Sequence, residues 1–104
     1  MAVYVDSERN RFGRMVMCHM FADTPVELHD MAERIGMRRS WYQAPDGPKP
    51  ASFPHYDVCL MRRAKAVELG AIEVDRRQGY EVRKAIRQRI INDGGFAASW
   101  RFAA

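Results

Sequence analysis

The sequence predicts a small single-domain α/β fold, a mixed sheet of about four strands with about three helices. Three observations lead there. A chain of 104 residues suffices for one ordinary core and no more. Short β-branched and aromatic runs alternate with stretches of helical period. The balance of 47% hydrophobic to 29% charged residues is that of a globular domain, and no apolar run approaches the ~20 residues of a membrane span.

The elements follow in order. Ala2 to Val5 reads as a first strand ending at Asp6, and Ser7 to Gly13 as a polar loop. Met15 to Phe21 is a second strand, apolar on both faces except for His19, as an interior strand would be. If these two strands are neighbours, the short connection makes them antiparallel. A helix then opens with Thr24 as N-cap, Pro25 in the first turn and Glu27 three residues after the cap. Leu28, Met31, Ala32 and Ile35 form its buried stripe, and Gly36 ends it. Trp41 to Gln43 reads as a short third strand, able to run parallel to the second across that helix.

Residues 44–54 form a proline-rich loop holding four of the five prolines. It delivers His55, Tyr56 and Asp57 to a second helix, about Cys59 to Leu69, with Leu60, Ala64 and Val67 inward. Ala71 to Val74 is a fourth strand, and Tyr80 to Ile91 a third helix with Val82, Ala85, Ile86 and Ile90 inward. The tail, residues 92–104, is apolar enough to pack on the domain or on a second subunit, which makes a homodimer the expected assembly. MAVYVD enters a strand pattern without a signal-peptide character, so the expected location is the cytoplasm, with Cys18 and Cys59 as reduced thiols.

The chemistry gathers in one constellation. His19 and Asp23 leave the second strand, His29 sits in the helix that follows, and His55 and Asp57 precede the second helix. Ligands in open α/β sheets collect at such strand ends and helix starts. Three imidazoles with carboxylates suit a borderline metal, although the spacing matches no established metal motif. Histidine titrates near neutrality, so His19 or His55 can move protons with Asp23 or Asp57 orienting them. Arg14, Arg62 and Arg63 can hold phosphate, and Trp41 or Tyr56 can stack on a base. The plainer alternative makes His19 a buried residue bonded to backbone, Asp23 and Asp57 helix caps, and His29 a solvated side chain. Cys18 points away from His19 by strand alternation and reads as a core thiol.

Taken together, VYVD, GRMVMCHMFAD, ELH, MAERIG, W-x-Q, HYD and the basic helix ending in LGA resemble the small bacterial and phage family called domain of unknown function 4031, over Val3 to Val74. The resemblance implies recurring polar positions at Asp6, Arg14, His19, Asp23, Glu27, His29, Trp41, Gln43, His55, Tyr56, Asp57, Arg62 and Arg63. The proline-rich insert before His55 departs from it, and the last ~30 residues fall outside it.

These observations converge on a His/Asp/Arg pocket for a phosphorylated small molecule or nucleotide. His19, Asp23 and His55 are its chemical groups, and Arg14, His29, Trp41, Gln43, Tyr56, Asp57 and Arg63 line it. The pocket has two forms, binding alone and hydrolysis of the bound ligand, and no nucleophile or cofactor motif stands out. The competing class is a non-enzymatic interaction module. From Arg76 to Arg89 six Arg or Lys residues stand against Glu81, and Arg83, Lys84 and Arg87 on helix 80–91 suit nucleic acid or an acidic protein. The net charge of +4 favours an anionic partner in either case.

Overall fold

A computed structural model describes residues 2–96 and 99–103; Met1 and three alanines of the tail, Ala97, Ala98 and Ala104, lie outside it. Five strands and three helices form one small α/β domain. The strands are β1 (Val3–Val5), β2 (Asn10–Phe12), β3 (Met15–Ala22), β4 (Tyr56–Cys59) and β5 (Ile72–Glu73). The helices are α1 (Pro25–Arg34), α2 (Leu60–Glu68) and α3 (Arg76–Asn92).

The eight-residue β3 organises the sheet. It pairs antiparallel with β1 at its C-terminal end, as the short connection requires, and with β2 at its N-terminal end. β4 pairs antiparallel with it through His19 opposite Asp57 and Met20 opposite Tyr56. β5 is the one parallel addition, beside β1.

β2 lies inside the segment read as loop. All three of its residues are exposed, so no apolar alternation betrays it. The signal is the two-residue connection Gly13-Arg14, with Gly13 at φ +61 as a tight hairpin needs. The expected strand at Trp41 to Gln43 is instead a 3-10 turn, Arg39–Trp41, followed by a single bridge from Gln43 to His55. The expected parallel pairing there gives way to antiparallel β3–β4, because Tyr56 to Cys59 is a strand and α2 starts only at Leu60. Leu60 and Ala64 of α2 are exposed; Ala66 is the buried residue. α3 starts four residues earlier than its apolar period suggests. Asp75 and Gln78 form a reciprocal capping box, and Gly79 lies inside the helix, where it crosses the sheet close to Phe21 and Asp6.

Alternation along the strands sorts the side chains onto two faces. Val3, Val5, Cys18, Met20, Ala22, Tyr56 and Val58 are buried on one face, under α1 and α2. Tyr4, Asp6, His19, Phe21 and Asp57 occupy the other, under α3. The tail closes on its own domain. Trp100 is buried, its carbonyl accepts from the Tyr42 hydroxyl at 2.6 Å, and Phe102 stacks on Tyr42. Both cysteines are free. Among the described residues no helix is long and apolar enough to cross a membrane.

Candidate functional site

Midway along β3, the register that sets His19 against Asp57 creates a polar cluster on the α3 face. His55 joins it because residues 55 and 57 share a face, and the Gln43–His55 bridge fixes where the proline-rich loop re-enters the sheet. Asp6, one residue past β1, is the buried charged residue among those described, at 3% exposure. Its Oδ2 lies 2.7 Å from His19 Nδ1, and its Oδ1 accepts from the backbone N–H groups of His19 and Glu8. His19 Nε2 then stands 3.8 Å from Asp57 Oδ1, and His55 Nε2 stands 3.2 Å from the same oxygen. Asp57 Oδ2 accepts from Gln43 Nε2 at 2.7 Å, and His55 Nδ1 donates to the Phe53 carbonyl at 2.7 Å.

The charges respond to these contacts. The hydrogen bond to Asp6 raises the His19 pKa against the opposing effect of burial, and the charge of Asp57 adds to the rise. Burial pushes the Asp6 carboxyl upward, but the two hydrogen bonds from His19 outweigh it and the net shift is down. Asp57 is also held down, first by His55 and then, against its own burial, by Gln43. Burial raises the Cys18 thiol, which fits its place in the core.

A cleft of about 100 Å³ opens onto the cluster, lined by His19, Phe21, Ser52, Phe53, His55 and Arg83. Arg83 reaches it from α3, its guanidinium lying 5.7 Å over the Phe21 ring. Of the basic face read on this helix, Arg83 is half-buried and turned to the cleft, whereas Lys84 and Arg87 are exposed. The Arg87 guanidinium lies over the Phe53 ring at 5.8 Å.

Of the other site residues read from the sequence, Asp57 and Gln43 join His19 and His55. Asp23 does not. It binds the Ala2 amide, the Tyr4 hydroxyl and Arg89, and so ties the N-terminus to α3. His29 and Tyr56 lie on the opposite face, where His29 Nδ1 meets the Tyr56 hydroxyl at 2.8 Å beside a second hollow of about 300 Å³. Burial, with Arg39 nearby, lowers the His29 pKa to about 4. Burial raises the Tyr56 hydroxyl to about 12. Trp41 is half exposed between the guanidinium groups of Arg38 and Arg62. Arg63 bonds the Asp6 carbonyl and Glu73, fastening α2 to β1 and β5. Arg14 is exposed in the β2–β3 turn.

A family model described as protein of unknown function (DUF4031) matches residues 3–89. The chain belongs to this family. The match runs past Val74 and takes in α3 as far as Arg89, Arg83 included. No curated protein and no solved structure matches the chain.

Sequence reasoning missed Arg83, Ser52 and Phe53 as cleft residues, and Asp6 as the partner of His19. Asp6 had a signal: an acidic residue directly after an apolar strand needs a reason to be there. Arg83 had one too: it stands three and seven residues before Ile86 and Ile90, on the buried stripe of α3, and Lys84 does not.

Proposed function

We propose that the cleft binds the phosphate group of a small molecule, and that hydrolysis of a phosphoester is the reaction for which its residues are equipped. The observation that carries this is the meeting of a carboxylate-oriented histidine, His19 on Asp6 at 2.7 Å, with the Arg83 guanidinium in one cleft. Arg83 is the anion donor. His19, His55 and Asp57 are the groups set against the bond to be cleaved, and Ser52 adds a hydroxyl at the rim. The volume limits the ligand. About 100 Å³ is well below the ~300–1,000 Å³ of a site that engulfs a drug-sized molecule. It suits a phosphate-sized group, with a nucleoside or other remainder lying along the surface outside.

The reading of α3 as a nucleic-acid or acidic-protein interface rests on Lys84 and Arg87, which are exposed, because Arg83 is turned to the cleft. The test uses inorganic phosphate and p-nitrophenyl phosphate on the whole chain. Phosphate should raise the melting temperature and compete with turnover. Arg83→Ala should weaken phosphate roughly tenfold or more, the worth of one charged hydrogen bond, whereas Arg14→Ala should leave it unchanged. No thermal shift and no turnover, with or without added divalent metal, would sink the proposal.

A further inference from the structure

Each of the three inward side chains of the cluster has its other polar atom already committed. His55 Nδ1 faces the Phe53 carbonyl, which can only accept, so that nitrogen carries the ring proton and Nε2 is the bare nitrogen of the neutral ring. His19 Nδ1 is bound to the Asp6 carboxylate in the same manner, leaving its Nε2 turned inward. Asp57 gives one oxygen to Gln43 and turns the other toward the two Nε2 atoms. When both rings are neutral, two imidazole lone pairs and a carboxylate oxygen therefore point at one another. All three atoms lie within 4.8 Å of one another, with the two nitrogens at 3.2 and 3.8 Å from the oxygen. Acceptors brought together in this way repel unless a proton or a metal cation lies between them.

The geometry points to a divalent transition-metal site of the zinc class, formed by His19 Nε2, His55 Nε2 and Asp57 Oδ1. Donors bound at ~2.0–2.1 Å in a tetrahedron stand ~3.3 Å apart, so small side-chain shifts close the present spacing around an ion. Two nitrogens and one oxygen suit a borderline ion, whereas Mg²⁺ and Ca²⁺ prefer oxygen throughout. The outer contacts fit as well. A histidine that holds a metal through one nitrogen donates its other N–H to a carboxylate or a backbone carbonyl, which fixes the ring. Asp6 and the Phe53 carbonyl fill those two positions here, and Gln43 fixes the carboxylate. Three protein donors leave a fourth position, and the cleft beside Arg83 opens onto it. That is the pattern of an ion that engages a water or a substrate oxygen. The inference deepens the phosphate reading by placing a cation beside Asp57, yet its evidence is the donor set alone.

The test is a titration of tag-free protein with Co²⁺, followed by visible absorption and then by displacement with Zn²⁺. The expected result is a single saturable site with the d–d bands of low-coordinate cobalt, bleached by Zn²⁺ and untouched by Mg²⁺. Asp57→Asn and His55→Ala should each lower the affinity roughly tenfold or more. His29→Ala, on the opposite face, should bind as the parent does. Asp57→Asn nearly preserves shape, so it decides the matter if His55→Ala fails to fold. Absence of the cobalt bands overturns the inference, and so does their survival in Asp57→Asn. Phosphate binding without cobalt uptake would overturn the metal and keep the phosphate site. Cobalt uptake with no effect of phosphate would do the reverse.

Discussion

His19 and His29 are separated by one sheet, and their surroundings give them opposite characters. His19 sits on the α3 face between two carboxylates, and its pKa is raised by the bond to Asp6. His29 sits on the α1 face, its ring edge-on to Tyr42 and Tyr56 at 4.6 and 5.7 Å. Burial there drives its pKa down to about 4. Tyr56 and Asp57 are adjacent in the chain, yet one meets His29 and the other faces His19. A single step along β4 thus separates an aromatic, neutral environment from a charged, converging one. The chemistry of each histidine is decided by its partners, and residue type alone does not reveal it.

The comparison can be broken at its ends. The largest effect belongs to the aromatic face, where Trp100 and Tyr42 close the core. Trp100→Ala should cost about 3–5 kcal/mol in urea unfolding, as for other buried aromatics cut to alanine. It should leave cobalt or phosphate binding to the folded protein unchanged. A loss of binding in the folded variant would show that the two faces are not independent.

Next comes Asp6→Asn. An amide cannot serve all the donors that the carboxylate serves, two from His19 and one from Glu8. The expected loss is about 2 kcal/mol, within the range for hydrogen bonds to a charged group. Ligand affinity should fall further than stability does, because the ring of His19 loses its orientation. A variant equally stable and equally good at binding would remove Asp6 from the site.

A third effect is a slope in the dependence of stability on pH. The native pKa of His29, about 4, lies below the ~6.5 of an unfolded histidine. Between those values the unfolded chain binds the proton and the native protein does not. The contribution of His29 is therefore complete above pH ~6.5 and is lost as pH falls towards 4. His29→Gln should flatten that part of the stability curve, measured as urea midpoints from pH 7 to pH 4. An unchanged slope would mean that His29 is free to charge in the native state.

Much of the scaffold was legible. α1 announces itself through Thr24, Pro25, Glu27 and the Leu28–Ile35 stripe, because capping and period are local properties. The antiparallel sense of β1 and β3, given that they are neighbours, followed from the short connection between them. What could not be read was non-local. β2 has only exposed residues and exists by pairing with β3. β4 hides in HYDVC because its alternation meets a helix start at once. For the site, His19, His55, Asp57 and Gln43 were named from the sequence and are together. His29 and Asp23 were named with them and are apart. Sequence spacing could not show that β3 carries His19 and Asp23 to separate places on the sheet, or that α1 carries His29 to its other side.

The proline-rich loop leaves and re-enters the domain through a narrow doorway. Gln43 and His55 exchange both backbone hydrogen bonds at 2.9 Å, and the Ala51 amide returns to the Ala44 carbonyl at 3.2 Å. Residues 45–50 are an excursion whose two feet are pinned beside each other. Closing a longer excursion on the same feet is cheap, about 0.6 kcal/mol for each doubling of length. A longer segment would leave Gln43, His55 and Asp57 where they are, because the Gln43–His55 bridge and β4 hold them. Shortening it would remove the bond from the Phe102 amide to Asp46, the turn bond from the Gly47 amide to Ala44 and the packing of Gly47 on Phe102. The length of this excursion is thus set apart from the sheet positions that hold His19, His55 and Asp57 in register.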